Sequence, residues 1–340
     1  MSEKLLHRRI VTIGGGTGGF ILNRGFHAYS VDQTAICTAF DSGGSSGALR
    51  DEFGTLPPGD VRRCIVAMAG DSDDTLRELM NYRFPEGNNG LSALAGHNLG
   101  NLLLSAAEKE WGHIDGIRRL SKVLGVQGRI LPVSIDNANL CAELSDGSHI
   151  VGEANIDTRS VKDERSINKV WLKPSAVVHR EVVDAILKAQ IIVLGPGDLY
   201  TSIIPNLLVR GVAEAIQESK AIVVYVCNLM TKWSETRDFD AADFVEETLK
   251  YRIGREKFDV VLVNTAQIPA RLLPSYEAED RSKPVVFDDE VMKRLSRMTE
   301  KVVTGDFLSR ASLNIGLIRH GPHRLAKQIV ELEVSDEPHP

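Results

Sequence analysis

Two glycine-rich segments directly follow short apolar runs and are the first candidates for ligand chemistry. Segment 14–19 ends the β-branched run that starts at Arg9, and segment 195–198 ends the run 191–194. Glycine lets backbone N–H groups approach a phosphate closely, and the N-terminus of a following helix adds positive potential. Both segments are therefore predicted to bind a phosphate-bearing ligand.

The first segment also fits the pattern G-x-G-x-x-G of dinucleotide-binding folds. Its glycines are Gly14, Gly16 and Gly19, and Asp41 follows at the end of the next apolar run. In such folds an acidic residue roughly 20 residues further on binds ribose hydroxyls. Asp41 can alternatively bind a divalent cation through its one carboxylate. It is therefore a candidate metal ligand and a candidate catalytic residue.

The glycine-rich segment that follows this run, at 41–47, complicates a simple dinucleotide interpretation. Segment 41–47 is predicted to be a flexible loop, in which Ser45, Ser46 and the loop amides hold a pyrophosphate. The next helix is predicted to have Asp60 as its N-cap. Arg62, on its first turn, is expected to face the same ligand.

Polar side chains near other helix and strand ends extend the predicted site. His97 and Asn98 lie near the N-terminus of an apolar helix, where a histidine can act as an acid or base. Asn228 follows the strand 222–227, and Thr231 lies a few residues beyond it. Ligands of open α/β sheets bind at the carboxyl ends of the strands, so these residues are expected to line one crevice.

The predicted ligand-binding residues come from all of these segments. They are Gly14, Gly15, Gly16, Thr17, Gly18, Asp41, Gly43, Gly44, Ser45, Ser46, Arg62, His97, Asn98, Asn101, Gly195, Gly197, Asp198, Thr201, Ser202, Asn228 and Thr231. Asp41 and His97 are the candidate catalytic residues. The sequence shows no serine, cysteine or lysine constellation typical of covalent catalysis, which favours a binding role.

The order of elements predicts how these segments are positioned. Strand, glycine segment and helix alternate at the start of the chain and again after residue 181, which predicts an α/β, Rossmann-like, mostly parallel sheet with helices on both faces. A helical region and a group of short strands in between predict an inserted helical and hairpin part. We expect one domain over 1–330, with a first nucleotide-binding half at 9–150, a second half at 151–330, and a flexible acidic tail at 331–340.

Composition excludes several classes of protein. The chain has 340 residues, 43% of them hydrophobic, and a net charge of -6, so nothing indicates nucleic-acid binding. The four cysteines are scattered without a CxxC pair, which argues against a disulfide scaffold and a structural zinc site. No apolar stretch is long enough for a membrane span, and the first residues lack a signal-peptide core. We therefore expect a cytoplasmic protein.

Six ordered motifs resemble the gluconeogenesis factor family, which belongs to a superfamily shared with 2-phospho-L-lactate transferase. The resemblance runs from near residue 9 to near residue 265. The motifs are GGGTG at 14–18, GGSSG at 43–47, LPPGD at 56–60, GHNLGNL at 96–102, GPGDLYTSIIPNLL at 195–208 and CNLMT at 227–231.

The resemblance implies a Rossmann-like sheet and a nucleotide site. Members of the family are implicated in binding UDP-sugars such as UDP-N-acetylglucosamine, and in cell shape and wall synthesis during growth on gluconeogenic carbon sources. The related transferase joins a lactyl phosphate to a deazaflavin, using a guanine dinucleotide-type donor and a divalent metal. The family often has two acids before segment 43–44, whereas this chain has Asp41 followed by Ser42. This departure halves the carboxylates available there to a transferase-type metal site.

These observations leave three functions open. The leading interpretation is a nucleotide-sugar-binding regulatory protein that requires no cofactor. The first alternative is a 2-phospho-L-lactate transferase-type enzyme that uses Mg²⁺, and the second is an NAD(P)-binding oxidoreductase. The expected ligand is accordingly a UDP-sugar, GDP or NAD. A homodimer and a protein partner in wall synthesis are further expectations.

Overall fold

The architecture is a parallel sheet with an antiparallel insertion. The computed structural model describes residues 8–70, 74–87, 92–251 and 253–334. The strands of these residues are β1 (Arg8–Gly14), β2 (Val31–Cys37), β3 (Arg129–Pro132), β4 (Asn139–Leu144), β5 (His149–Val151), β6 (Ile167–Lys173), β7 (Ile191–Leu194), β8 (Ile222–Val226), β9 (Phe258–Asn264) and β10 (Thr299–Gly305).

Helices connect the strands. They are α1 (Gly16–Gly25), α2 (Gly44–Phe53), α3 (Gly59–Met68), α4 (Asp74–Asn81), α5 (Leu99–Trp111), α6 (His113–Val123), α7 (Glu153–Asp157), α8 (Arg180–Lys188), α9 (Ile204–Leu207), α10 (Val212–Glu218), α11 (Trp233–Thr236), α12 (Ala241–Lys250), α13 (Leu273–Asp280), α14 (Asp289–Leu295), α15 (Arg310–Asn314) and α16 (Pro322–Val330). A π-helical turn covers Leu199–Ile203, and 3-10 turns cover Phe26–Ala28 and Ala270–Leu272. Within the described ranges, no helix is long and apolar enough to cross a membrane.

The main sheet has seven strands in the order β10-β9-β8-β7-β1-β2-β3, and every neighbouring pair is parallel. From β1 the chain proceeds to β2 and β3 on one side, whereas β7 to β10 are added on the other side. The strand order therefore reverses between β1 and β7. Such a reversal opens a crevice at the carboxyl ends of the two strands. The predicted α/β, Rossmann-like fold is confirmed.

The strands are apolar on both faces because helices cover both sides of the sheet. Ile10 of β1 shares a core with Leu22 of α1 and Leu325 of α16. Its neighbour Val11 belongs to the core on the other face, together with Val182 of α8. This double burial explains why β7 is a continuous apolar run rather than an alternating one.

Both predicted insertions are present. α3 to α6 lie between β2 and β3, and β5-β4-β6 form a separate antiparallel sheet. Leu140 and Leu172 of this small sheet belong to the same core as Val11 of the main sheet, so the insertion packs directly against it. At the other end of the chain Leu332 is buried against α16 and β1, while residues 335–340 of the predicted tail lie outside the described residues.

The glycine-rich segments 14–19 and 41–47 contain fewer loop residues than the sequence indicated. α1 begins at Gly16 and α2 begins at Gly44, so the prediction of a flexible loop over 41–47 is wrong. A Cβ at Gly47 would lie 2.1 Å from the Ser42 carbonyl oxygen. The glycines therefore permit tight turns and close packing at the start of each helix, and not flexibility.

Candidate functional site

The main crevice lies at the carboxyl ends of β1 and β7, where two cavities meet. Both cavities are lined by Gly16, Thr17 and Asp198. The first has a volume of about 350 Å³, and we call it the acidic cavity because its lining includes Asp41, Asp60, Glu153, Asp157 and Asp198. The second has a volume of about 260 Å³, and we call it the tyrosine cavity because Tyr276 lines it. The crevice is thus an elongated site with two chemically different ends.

The glycine segments that follow β1 and β7 pack against each other inside the crevice. A Cβ at Gly18 would lie 2.2 Å from the Pro196 carbonyl oxygen, so a side chain cannot be accommodated there. Gly16 has a φ of +65°, and its N–H donates to Asp60 Oδ1 at 2.8 Å. A phosphate at the N-terminus of α1 must therefore share the backbone amides with a carboxylate of the protein.

Asp60 is not the helix cap that the sequence predicted. Pro58 occupies the cap position of α3, and the Asp60 side chain reaches across to Gly16 and to the Arg63 guanidinium, 3.1 Å away. Burial raises the pKa of Asp60, and Arg63 acts in the opposite direction. The prediction failed because a carboxylate beside a helix start can bond to another segment instead of its own helix.

Asp41, Asp60 and Thr38 together offer oxygen atoms to the acidic cavity. Asp41 Oδ1 accepts from the Gly43 N–H at 2.8 Å, and Oδ2 has no donor among the described residues. Thr38 Oγ1 is buried and has no hydrogen-bond partner among those residues. Magnesium and calcium prefer such oxygen ligands. Their oxygen chemistry would suit a hard divalent cation at the end of β2, whereas the described acidic side chains whose oxygens lie within 4.8 Å of one another are Asp157, Asp198 and Glu235.

Glu153, at the start of α7, brings a further carboxylate to this wall. Its Oε2 lies 3.5 Å from the backbone nitrogen of Ser42. Burial, together with the charges of Asp41 and Asp157, raises the pKa of Glu153 to about 9. Burial is the larger of these causes, so Glu153 keeps its proton at neutral pH and would have to lose it to bind a cation. We call Asp41, Asp60, Glu153 and Thr38 the cation-ligand set.

A second carboxylate set surrounds Lys232, and we call it the lysine cluster. Asp157, Asp198 and Glu235 offer oxygen atoms that all lie within 4.8 Å of one another. Lys232 Nζ lies 2.9 Å from Asp198 Oδ2 and 3.5 Å from Glu235 Oε1, and it also contacts Asp157. Burial alone would lower the pKa of Lys232, but the three carboxylates raise it. The ammonium group thus supplies the cation that this set requires.

Glu235 anchors the lysine cluster to the π-helical turn. It accepts the Tyr200 N–H at 2.7 Å and the Thr201 hydroxyl at 2.8 Å. Burial raises the pKa of Glu235 to about 7, although Lys232 lowers it. Thr201 and Ser202 line the acidic cavity from this turn rather than from the helix N-terminus that the sequence predicted.

Arginines also line the acidic cavity. Arg62, Arg63 and Arg83 all line it. Arg62 Nε donates to Asn101 Oδ1 at 3.0 Å, and burial lowers the pKa of Arg62 to about 10. Asn101 thereby holds the guanidinium in place. The cavity accordingly presents both carboxylates and guanidinium groups, with Asp60 and Arg63 in contact at 3.1 Å, which suits an anionic ligand that arrives with a divalent cation.

Ser45 ties α2 to the start of α5. Its Oγ accepts from the Asn98 N–H and from Asn101 Nδ2, each at 3.2 Å, and lies 3.2 Å from His97 Nδ1. Asn98 caps α5 by accepting from the Asn101 N–H. His97 and Asn98 are therefore behind the cavity wall, where they position Ser45 and Asn101.

The tyrosine cavity has a different character. Asn228 Nδ2 donates to the Gly197 carbonyl oxygen at 2.9 Å, which leaves Asn228 Oδ1 as an acceptor. The Tyr276 hydroxyl accepts from the Ile318 N–H at 2.8 Å. His320 is 6% exposed, and burial lowers its pKa to about 4 against the effect of a hydrogen bond to the Cys227 backbone. The imidazole is therefore neutral at physiological pH.

Most of the predicted residues meet in this crevice. Those lining the acidic cavity are Gly16, Thr17, Asp41, Gly43, Gly44, Ser45, Ser46, Arg62, Asn101, Asp198, Thr201 and Ser202, and those lining the tyrosine cavity include Gly18, Gly197 and Asn228. Gly14, Gly15, His97, Asn98, Gly195 and Thr231 line neither cavity. Thr231 instead exchanges hydrogen bonds with the Lys283 backbone, at 2.8 and 3.0 Å.

Comparison with known proteins identifies the family of this chain. Residues 10–308 match the family model described as 2-phospho-L-lactate transferase CofD. The chain belongs to the CofD family.

Curated relatives within the CofD family are named gluconeogenesis factors. The chain is 38% identical over 328 residues to the gluconeogenesis factor of Bacillus subtilis, with 95% of this chain and 98% of that protein covered. It is also 38% identical over 326 residues to the gluconeogenesis factor of Halalkalibacterium halodurans, with 95% and 96% covered. A crystal structure of a Bacillus halodurans protein of the upf0052 family superposes with a TM-score of 0.87 at 36% identity, covering 96% of this chain and 100% of that one. The family resemblance seen in the sequence is confirmed.

Several site residues of this CofD-family chain were not predicted as such. They are Arg63, Arg83, Glu153, Asp157, Lys232, Glu235, Tyr276 and His320, and Asp60 was assigned the wrong role. Glu153 and Asp157 come from α7, which follows the hairpin of the small sheet, and no local pattern links them to segment 41–47. Only Asp60 stood inside a recognisable motif, at the end of LPPGD.

Proposed function

We propose that this protein binds a nucleoside diphosphate sugar of the UDP-sugar class along the crevice, and that it acts as a regulatory binding protein. The observation that carries the proposal is the pair of unlike cavities that share Gly16, Thr17 and Asp198 at the strand-order reversal. In this arrangement the base occupies the tyrosine cavity, the diphosphate lies at the residues shared by the two cavities, and the sugar occupies the acidic cavity.

The position of the diphosphate is supported by the charges around the residues that the two cavities share. Backbone amides at the N-terminus of α1 and the guanidinium groups of Arg62 and Arg63 attract phosphate, whereas Asp41 and Asp60 repel it. A Mg²⁺ ion held by the cation-ligand set would neutralise those carboxylates and contact phosphate oxygens at the same time. The divalent cation is therefore proposed as a partner of the ligand.

The base is proposed to carry an N–H between two carbonyl groups, as uracil does. Asn228 Oδ1 is an acceptor because its Nδ2 already donates to Gly197. His320, which hydrogen-bonds to the Cys227 backbone, lines the same cavity. An acceptor selects the N3–H of uracil or the N1–H of guanine over cytosine and adenine, which have a lone pair at that position.

A binding role is supported by the state of the best candidate nucleophile. Ser45 Oγ accepts two N–H groups, from Asn98 and Asn101, so both of its lone pairs are engaged. A hydroxyl in that state is a poorer nucleophile, because attack requires it to give up one of these hydrogen bonds. The function proposed here therefore requires recognition and no covalent intermediate.

Calorimetry with UDP-N-acetylglucosamine, GDP and NAD, each with and without Mg²⁺, tests the proposal. We expect the UDP-sugar to bind most tightly, and Asn228→Ala to weaken it about tenfold, because that corresponds to roughly 1.4 kcal/mol. Asn314→Ala, an exposed amide on α15, is the matched control and should bind normally. Equal affinity for the two variants would contradict the proposal.

A transferase is the second candidate, and the cation-ligand set favours it. The sequence offered one acid before segment 43–44, but Asp60 and Glu153 restore the carboxylates by lining the same cavity. Mg²⁺-dependent turnover of a guanine dinucleotide-linked phospholactate, lost in Asp41→Asn, would replace the binding role by this one. The predicted homodimer and the protein partner in wall synthesis stay predictions.

A further inference from the structure

A separate pocket lies at the outer edge of the parallel sheet, between α6, β3 and α8. It has a volume of about 270 Å³, and we call it the edge pocket. β3 is the edge strand, and Arg129 stands at its amino end, whereas the crevice is built on the carboxyl ends of β1 and β7. The pocket is therefore distinct from the crevice, and the proposed function uses none of its residues.

The edge pocket combines an apolar wall with positive charge. Ile114, Val126 and Ile130 supply the apolar surface. Lys122 and Arg129 line the same pocket and are exposed, and neither has an ion-pair or hydrogen-bond partner among the described residues. Two unpaired cations next to hydrocarbon are suited to an anion that also carries an apolar part.

A salt bridge between two helices affects the charge of the pocket. Arg118 of α6 donates to Glu181 Oε1 of α8 at 2.9 Å, and it also pairs with Asp115. Arg118 is therefore already paired, and its two carboxylates carry one negative charge more than it does. Of the cations that line the pocket, Lys122 and Arg129 remain for a ligand, which matches a single carboxylate held by two cations.

Ser121 provides an independent sign of a ligand. It lines the edge pocket and is 9% exposed, and its Oγ has no hydrogen-bond partner among the described residues. Buried hydroxyl groups are normally paired, because an unmade hydrogen bond costs free energy. An acceptor on a bound molecule would satisfy this group.

We propose that the edge pocket binds a small carboxylate with an apolar tail of about five to eight carbons. The size follows from the volume, since a cavity of about 150 Å³ holds benzene and drug-sized ligands need roughly 300 Å³ or more. Lys122 and Arg129 form ion pairs with the carboxylate, and the Ser121 hydroxyl donates a hydrogen bond to it. The tail packs on Ile114 and Ile130. A bare inorganic anion leaves the apolar wall uncovered and is a poorer fit.

Calorimetry on the full chain tests this assignment with three probes: 4-methylpentanoate, 4-methylpentan-1-ol and inorganic phosphate. We expect the carboxylate to bind with a dissociation constant below about 1 mM, and the alcohol and phosphate to bind at least about tenfold more weakly. Binding should persist when the crevice is saturated with UDP-N-acetylglucosamine. Equal affinity for the alcohol or for phosphate, or displacement by the UDP-sugar, would overturn the proposal.

Variants separate the pocket from general surface charge. The double variant Lys122→Gln/Arg129→Gln should weaken the carboxylate at least tenfold, and Lys188→Gln on the exposed side of α8 should leave it unchanged. Ser121→Ala should weaken binding about threefold without lowering the melting temperature of the free protein, since its hydroxyl makes no bond there. An unaltered affinity in both pocket variants would sink the idea.

Discussion

The two carboxylate sets of the acidic cavity solve the same electrostatic problem in different ways. The lysine cluster contains its own cation, because Lys232 Nζ contacts all three carboxylates. In the cation-ligand set Asp60 pairs with the Arg63 guanidinium, whereas Asp41 has no cationic partner among the described residues, and burial together with the charges of Asp41 and Asp157 raises the pKa of Glu153 to about 9. The comparison indicates that the lysine cluster is balanced by its own ammonium group, and that Asp41 is available to a cation from solution.

Removing the internal cation should give the largest effect. Lys232→Met leaves the buried Glu235 without its ion-pair partner, and loss of one member of a buried pair costs about 3–5 kcal/mol. The loss should be greater at pH 8 than at pH 5, because the raised pKa of Glu235, about 7 with Lys232 present, lets the carboxyl become neutral at the lower pH. Urea unfolding at both pH values measures it.

A matched lysine keeps this prediction specific. Lys283 Nζ lies 2.9 Å from Asp238 Oδ1, and the two side chains are 57% and 64% exposed. Lys283→Met should therefore cost less than about 1 kcal/mol. Similar losses in the two variants would mean that burial does not distinguish the lysine cluster from a surface pair.

Neutralising Glu153 should stabilise the protein in a pH-dependent manner. The folded state keeps the Glu153 proton up to a pKa of about 9, whereas the ordinary value is 4.5, so the wild type loses stability as the pH rises between these values. Glu153→Gln removes that loss. We expect no difference at pH 4.5 and a gain of about 1–3 kcal/mol at pH 8, seen as a higher melting temperature.

The control for Glu153 is an exposed carboxylate on a helix. Glu218 ends α10 and is exposed, so Glu218→Gln should follow the wild-type pH profile. If Glu153→Gln differed from the wild type in melting temperature by the same amount at pH 4.5 and pH 8, its effect would not be due to proton binding.

Adding the missing cation should have a smaller effect. If Mg²⁺ binds the cation-ligand set with a dissociation constant near 1 mM, 10 mM Mg²⁺ stabilises the wild type by about 1.4 kcal/mol. Asp41→Asn should lose this gain, and Asp184→Asn on α8 should keep it. Thermal melts with and without Mg²⁺ make the measurement, and an equal gain in Asp41→Asn would place the ion elsewhere.

The smallest effect is expected inside the lysine cluster. Thr201→Val keeps the shape of the side chain and removes the hydroxyl that donates to Glu235 at 2.8 Å. A loss of about 1 kcal/mol is expected from chemical denaturation. The stabilisation by Mg²⁺ should not change, because Thr201 contacts the lysine cluster, which contains its own cation. Loss of that stabilisation would mean that the two carboxylate sets do not act independently.

The sequence predicted the sheet and the central crevice well, because both depend on local patterns. Apolar runs that end in glycine predicted β1 and β7, and their parallel pairing brought Thr17 and Asp198 together. The role of Asp60 was not predictable in this way, since its partner Gly16 lies 44 residues earlier in the chain. Lys232 was missed for the same reason, because its carboxylates come from α7, segment 195–198 and α11.

His97 shows the opposite limit of pattern reasoning. A histidine at a helix start beside two amides is a reasonable catalytic candidate, but side-chain direction decides its role. Here Ser45 lies between the imidazole and the other side chains of the wall, and accepts from Asn98 and Asn101. Residue type and spacing indicated that His97 lies near the crevice, and only the fold distinguishes residues that line the cavity from residues behind them.

The contact between Gly18 and Pro196 has a consequence for the speed of binding. Because a Cβ at Gly18 would lie 2.2 Å from the Pro196 carbonyl oxygen, the two glycine segments pack against each other at backbone distance. Such packing favours a preformed site, whose ligand affinity is not reduced by a large population of binding-incompetent conformers. Rapid-mixing experiments should then show a single bimolecular phase whose observed rate rises linearly with ligand concentration, without a plateau from a slow closing step.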